Sequence, residues 1–181
     1  MIHVKSEVLT RSVEKMKVIS KQKNSEMCVI CGMNNKYGLK APFYNMEDSS
    51  VMTKFKYEEF HQSYPGRVHG GLITAMLDEL GLRAYWVENE EDFAVTMKLD
   101  TEYRKPVPYN EELIGVGKII KTTPKFIKAE AKILDIHGNT LANAEGTYIK
   151  LDTEKIVDAS ALHENMIFLI EDNVKEINFE N

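Results

Sequence analysis

Between His69 and Val87 the apolar residues Leu72, Ile73, Met76, Leu77, Leu80, Ala84 and Val87 recur at intervals of three and four. That spacing predicts one long amphipathic helix whose apolar face forms the centre of a core. Downstream the period shortens, and partial alternation over 93–104, 112–121, 126–136 and 140–151 predicts four strands. Turn chemistry separates them: Pro106 to Asn110, Thr122 to Pro124, and the hairpin signal His137-Gly138-Asn139. Upstream, 39–44 and 50–57 read as a hairpin-like pair of strands. Val8, Leu9, Val13, Met16 and Ile19 suggest an amphipathic leading helix over 5–23, and a short helix is expected around 159–172.

Two strands, a long helix and four further antiparallel strands predict an α+β domain in which one antiparallel sheet wraps one helix. A length of 181 residues suits a single core. The expected organisation is a helical extension over 1–24, one domain over 25–152 and an acidic tail over 153–181.

Composition narrows the partners. A net charge of −5 offers no basic footprint for general nucleic-acid binding, so an anionic ligand would need a local cationic cluster. The apolar run Met166 to Ile170 is too short for a bilayer span, and the N-terminus lacks a signal-peptide core. Cys28 and Cys31 are too few for a disulfide framework. A cytoplasmic location with no membrane partner is the expectation.

The candidate chemistry concentrates in PGRVHGGLITAMLDELG, residues 65–81. Gly70 and Gly71 at the start of a helix either serve a tight turn or leave backbone N–H groups open to a developing oxyanion. On a helical wheel, Thr74, Asp78, Gly81 and Tyr85 fall opposite the apolar face. Glu79 has Arg83 four residues on, the arrangement of a solvated ion pair, whereas Asp78 has no local cation. Asp78 is therefore either an exposed aspartate or a base or nucleophile.

The run HGGLITAMLDE, preceded by HQSYPGRV and followed by TMKLDTEYRKPVP, resembles the PaaI-type acyl-CoA thioesterases of the hotdog-fold superfamily, and CVICGMNNKYGL resembles a cysteine-containing leader in bacterial members. The resemblance covers about 28–151 and implies a hotdog fold, hydrolysis of an acyl-CoA thioester, and a homodimer or homotetramer whose subunits complete each other's sites. It implies Asp78, nine residues after His69, as general base or nucleophile. It further implies Gly70 N–H as oxyanion donor, Gly71 as the residue allowing close approach, and Thr96 as the hydroxyl that positions water. Where some relatives carry asparagine, this chain has Ser63 beside Gln62, which leaves that polar contact open.

Arg104 and Lys105, with Lys121, Lys125 and Lys128 further on, could meet the phosphates of coenzyme A or be ordinary surface charges. Tyr85, Trp86 and Phe93 could line an acyl tunnel or simply pack. His69 could orient the glycine loop, with His61 and His137 read as structural. Cys28-x-x-Cys31 could be half a zinc site or a redox pair, but the sequence has no second C-x-x-C and no H-x-x-x-H, so no metal and no cofactor are expected. Two alternatives to the hydrolase stay open: a hydratase or dehydratase on the same fold, and a non-catalytic binder of acyl-CoA or small lipids.

Overall fold

A computed structural model describes residues 16–90, 92–151 and 168–179. Strands β1 (Met16–Lys21), β2 (Tyr44–Met46) and β3 (Val51–Phe55) precede a small hairpin of β4 (Gln62–Tyr64) and β5 (Arg67–Val68). Helix α1 (Gly70–Trp86) follows, then β6 (Ala94–Tyr103), β7 (Leu113–Thr122), β8 (Phe126–Asp135), β9 (Thr140–Lys150) and the short β10 (Glu176–Ile177). The main sheet of the described residues has eight strands in the order β10, β1, β2, β3, β7, β8, β9, β6, all paired antiparallel. An α+β architecture with one long helix against an antiparallel sheet is what the periodicity predicts, and it is the hotdog fold that the resemblance implies.

Helix α1 sits on β7, β8 and β9 because its apolar residues meet the small and branched residues of the sheet's inner face. Ile73, Met76, Leu77, Leu80 and Ala84 share one core with Leu113, Ala131, Ile133, Ala142 and Ala144. The approach is close enough that a Cβ on Gly117 would overlap the Leu80 carbonyl. On the other face of the sheet, Tyr44, Met46, Met52, Ile114, Leu134 and Ile177 form a second cluster, the alternation a two-residue period demands.

Several expectations change in detail. Met16–Lys21, expected as the end of a leading helix, is a strand that pairs with β2 and β10; residues 5–15 lie outside the described residues. Met16 and Val18 pack against the second cluster, so the extended period at this end overrides the helical one. The predicted strand over 39–44 is irregular until Tyr44, with Lys40 at φ 52° and Pro42 next but one. Of the helix expected around 159–172, the described part, 168–172, is not helical, and Phe168 makes an isolated bridge to Asn24. The turn at 137–139 forms as expected, with Gly138 at φ +79° and Asp135 accepting from the N–H groups of His137 and Asn139.

The helical wheel misplaces two residues, and the i,i+4 spacing misjudges the setting of a third. Gly81 and Tyr85 are buried, not turned outward. Tyr85 packs with Ile127, Ala129 and Tyr148, and a side chain at Gly81 would overlap the Tyr148 hydroxyl. Arg83 is 2% exposed, so its pair with Glu79 is not a solvated one. Its guanidinium donates to Glu79 Oε1 (2.8 Å), Lys23 O (2.7 Å) and Gln22 Oε1 (3.3 Å). It also lies between the rings of Phe43 and Trp86, 4.6 and 4.7 Å from their centroids. Arg83 thereby ties the segment before β2 to the helix. Arg83→Met should lower the unfolding free energy by about 3–5 kcal/mol, because Glu79 and two other acceptors lose their donor; urea denaturation of the two proteins measures it.

Candidate active site

The start of α1 is set by its own sequence. His69 is the N-cap, with extended backbone angles, and its Nδ1 accepts from Gly71 N–H at 3.0 Å. Its backbone N–H donates to His61 O at 2.9 Å, which binds the helix start to the β4–β5 hairpin. Gly71 N–H is therefore occupied. Gly70 N–H, at the first helical position, has no intrahelical acceptor and none among the described residues. Of the glycine doublet, Gly70 is the open donor. On the other side of the peptide, Gly70 O accepts from Tyr103 Oη at 3.1 Å, and Tyr103 Oη lies 2.6 Å from Thr74 Oγ1.

Two turns further along, the half-buried Asp78 meets the sheet. Thr96 Oγ1 on β6 donates to Asp78 Oδ1 at 2.8 Å. A bulge between Thr96 and Lys98 interrupts the β6–β9 register beside this contact. Burial lifts the Asp78 carboxyl above the ordinary aspartate value; the Thr96 hydrogen bond opposes that rise and the charge of Glu79 adds to it. No cation among the described residues pairs with it. The Tyr148 phenol beneath is raised too, by burial first and then by the Asp78 charge. Thr96 and Asp78, predicted from separate stretches, thus come together as a hydroxyl–carboxylate pair.

Gly70 does not join that pair within one chain. Eight residues of helix separate it from Asp78, an axial distance of about 12 Å at the usual rise per residue. What surrounds Gly70 is cationic. A cleft of about 320 Å³ at the helix start is lined by Arg67, Gly70, Ile73, Tyr103, Arg104 and Lys105, among others. Arg104 and Lys105, expected as substrate contacts, therefore neighbour Gly70, with Arg104 also bonded to Glu102 and Asn143. Arg67 and Tyr103, which sequence reasoning did not single out, also line this cleft. Both stand inside the quoted motifs; Arg67 is three residues before Gly70, whereas Tyr103 reaches it only because β6 folds back along α1.

The remaining candidates separate by location. Gln62 and Ser63 are exposed on β4, with Gln62 paired to Val68 just ahead of His69. Lys121 and Lys125 lie by the β7–β8 turn, at the Ala94 end of the sheet and far from Arg104 in register, and Lys128 pairs with Glu145. His61 is buried and structural: Nδ1 accepts from Glu58 N–H, and Nε2 faces Tyr37 O at 2.9 Å. Tyr85 and Trp86 both bond Asp92, and Trp86 packs edge-on to Phe93. The Cys31 side chain's hydrogen bond holds the Cys28 thiol down at about 6 against the effect of burial, and Cys31 is raised in return.

Residues 65–142 match the Thioesterase superfamily. The chain is 28% identical over 117 residues to Acyl-coenzyme A thioesterase THEM4 of Rattus norvegicus, covering 64% of this chain and 49% of that protein. The Mus musculus protein of the same name is 31% identical over 117 residues, with the same coverage. The chain thus spans about half the length of these curated relatives. Among solved structures, the thioesterase superfamily protein RHA08564 superimposes with a TM-score of 0.64 at 24% identity, over 68% of this chain and 63% of that one. The E. coli PaaI protein of the phenylacetic acid degradation operon gives 0.57 at 13% identity, over 63% and 81%. The fold is that of hotdog-fold proteins, and within it residues 65–142 are similar to the thioesterase superfamily. No helix among the described residues is long and apolar enough to cross a membrane.

The capping role of His69 is directly measurable. His69→Ala should lower stability by about 1 kcal/mol and His69→Asn should recover most of it, since asparagine is also a strong N-cap; chemical denaturation of the three proteins reports the difference.

Proposed function

We propose that this chain hydrolyses an acyl-CoA thioester to the free acid and coenzyme A, in sites shared between two copies. The observation that carries the reading is the Thr96–Asp78 contact: a half-buried carboxylate without a cation, its one oxygen held by a hydroxyl 2.8 Å away. Such a carboxylate can take a proton from attacking water, or itself attack the thioester carbonyl. Thr96 orients it and lies where it can also hold the water. The oxyanion that develops needs a donor, and Gly70 N–H is open at the positive end of α1.

The 12 Å or so between Gly70 and Asp78 along the helix supports a second copy as the source of one of them. Thr74 lies midway between the two. A twofold axis near Thr74 would run the partner's helix antiparallel and set each Gly70 opposite the other chain's Asp78, giving two equal sites. β6 supports the same pairing. It is the outermost strand on its side of the sheet, ten residues long, with Val95, Met97 and Tyr103 40%, 55% and 55% exposed. A long apolar strand edge is a template for another strand.

Thr96 contacts Asp78 near one end of β6, and Tyr103 contacts Gly70 at the other. Antiparallel pairing of two β6 edges therefore brings the Gly70 end of one copy to the Asp78 end of its partner. Arg67, Arg104 and Lys105 travel with Gly70, so the copy that polarises the carbonyl also presents cations to the coenzyme A phosphates. The names of the THEM4 relatives, which are acyl-coenzyme A thioesterases, support the substrate class. A dimer is the minimum assembly, and a cytoplasmic location accords with the free cysteines.

Asp78→Asn should abolish thiol release from a panel of acyl-CoA esters while the thermal melt is kept. Thr96→Val should reduce kcat by a smaller factor, about tenfold to a hundredfold, consistent with loss of a positioning hydrogen bond. Hydrolysis by Asp78→Asn at the unaltered rate would remove the carboxylate from the reaction. Shared sites make a separate forecast. Mixing refolded Asp78→Asn and Gly70→Val chains, each inactive alone, should restore about a quarter of the activity, because half the dimers then carry one intact site.

A further inference from the structure

The Cys28–Cys31 turn takes no part in the chemistry above, yet its geometry is specific. Cys28 Sγ accepts from two backbone N–H groups, Ile30 at 3.3 Å and Cys31 at 3.5 Å. Gly32 N–H closes the turn onto Cys28 O at 2.8 Å, and a side chain at Gly32 would overlap the Cys28 backbone. Ser25 Oγ accepts from Cys28 N–H and lies 3.3 Å from Cys31 Sγ. Converging N–H donors of this kind favour a sulfur that carries negative charge.

Tertiary structure adds a carboxylate. Glu79, on α1, places Oε2 4.0 Å from Cys28 Sγ while Oε1 stays bonded to Arg83. The ligand atoms of Cys28, Cys31 and Glu79 all lie within 4.8 Å of one another. We propose that Cys28 Sγ, Cys31 Sγ and Glu79 Oε2 form a binding site for Zn²⁺, with water as the fourth ligand.

The dimensions suit that ion. Tetrahedral zinc with Zn–S near 2.3 Å and Zn–O near 2.0 Å sets its ligand atoms about 3.5–3.8 Å apart. The three atoms need only a small contraction to reach this. Two thiolates and a carboxylate match the preference of zinc for sulfur with one harder donor. The charges also balance: two thiolates and Glu79 carry three negative charges, against Arg83 and a divalent cation with three positive. A cleft of about 190 Å³ opens on Ser25, Cys28, Cys31 and Glu79, which admits water as the fourth ligand. The second oxygen of Glu79, held by the buried Arg83, supplies the outer hydrogen bond that orients a metal-binding carboxylate.

Sequence spacing argued against a metal because further ligands were missing nearby. Glu79 lies 48 positions beyond Cys31 and reaches the turn only through the fold. The bound ion would fasten the turn-rich segment around Cys28 to the middle of α1. This inference does not depend on the thioesterase reading.

The test uses tag-free full-length protein, reduced and kept anaerobic, titrated with Co²⁺ and then with Zn²⁺. One equivalent of Co²⁺ should give the visible bands of a tetrahedral site together with thiolate-to-cobalt charge transfer in the near ultraviolet, and Zn²⁺ should abolish both. Cys31→Ser should abolish the charge-transfer signal, and Cys28→Ser should at least halve it. Glu79→Gln should weaken Co²⁺ binding by about tenfold or more while both thiolates remain. Circular dichroism on each variant confirms that the chain is folded, and Cys28→Ala provides a second, smaller change at the exposed side of the pair. An octahedral spectrum, no binding by the wild type, or unaltered affinity in folded Glu79→Gln or Cys28→Ala overturns the site.

Discussion

Helix α1 touches the sheet backbone to backbone, and most of the architecture follows from that contact. Gly117 has no Cβ where Leu80 O approaches, and Gly115 is similarly crowded by Thr53 and Leu80 side chains. The helix can therefore sink into β7, burying Met76, Leu77 and Leu80 completely. The face of the helix turned away from β7 stays partly exposed. Asp78 lies on that face, half in and half out of water, which is the condition for a carboxylate that is raised by burial yet still reachable.

The same seating makes the helix a rigid ruler. Its first open amide belongs to Gly70 and its carboxylate to Asp78, and a straight helix cannot bring them nearer to one another. The proposed reaction uses both and therefore draws them from two chains, with the exposed β6 edge as the place where those chains would pair. β6 runs along α1 with Thr96 at the carboxylate and Tyr103 at the glycine, and thus spans the distance between the two candidate groups within each chain.

The buried Arg83 shows how a local reading can name the right pair and miss its setting. Glu79 and Arg83 are spaced as a surface ion pair, and they are bonded as such a pair would be. Their burial comes from Gln22, Lys23 and Phe43, all distant in sequence, which close over the guanidinium. Once Arg83 is enclosed, Glu79 is held in place beside Cys28, and two residues with unrelated local explanations become neighbours.

The sequence by itself determined the long helix, the four strands after it and their turns, because each has a strong period of its own and residues whose backbone preferences mark its ends. It also supplied Asp78 and Gly70 as chemical candidates, from the motif around the glycine doublet, and Thr96 through the family resemblance alone. It misjudged residues 16–21, where pairing with β2 and β10 outweighs a weak helical period, and Gly81 and Tyr85, where the sheet curls far enough round the helix to bury a second flank. Only the tertiary structure decided that Thr96 bonds Asp78, that Tyr103 and Arg104 share a cleft with Gly70, and that Glu79 faces the two cysteines. Each of these is a contact between segments far apart along the chain, set by the strand register and the depth of the helix, quantities that no local period encodes.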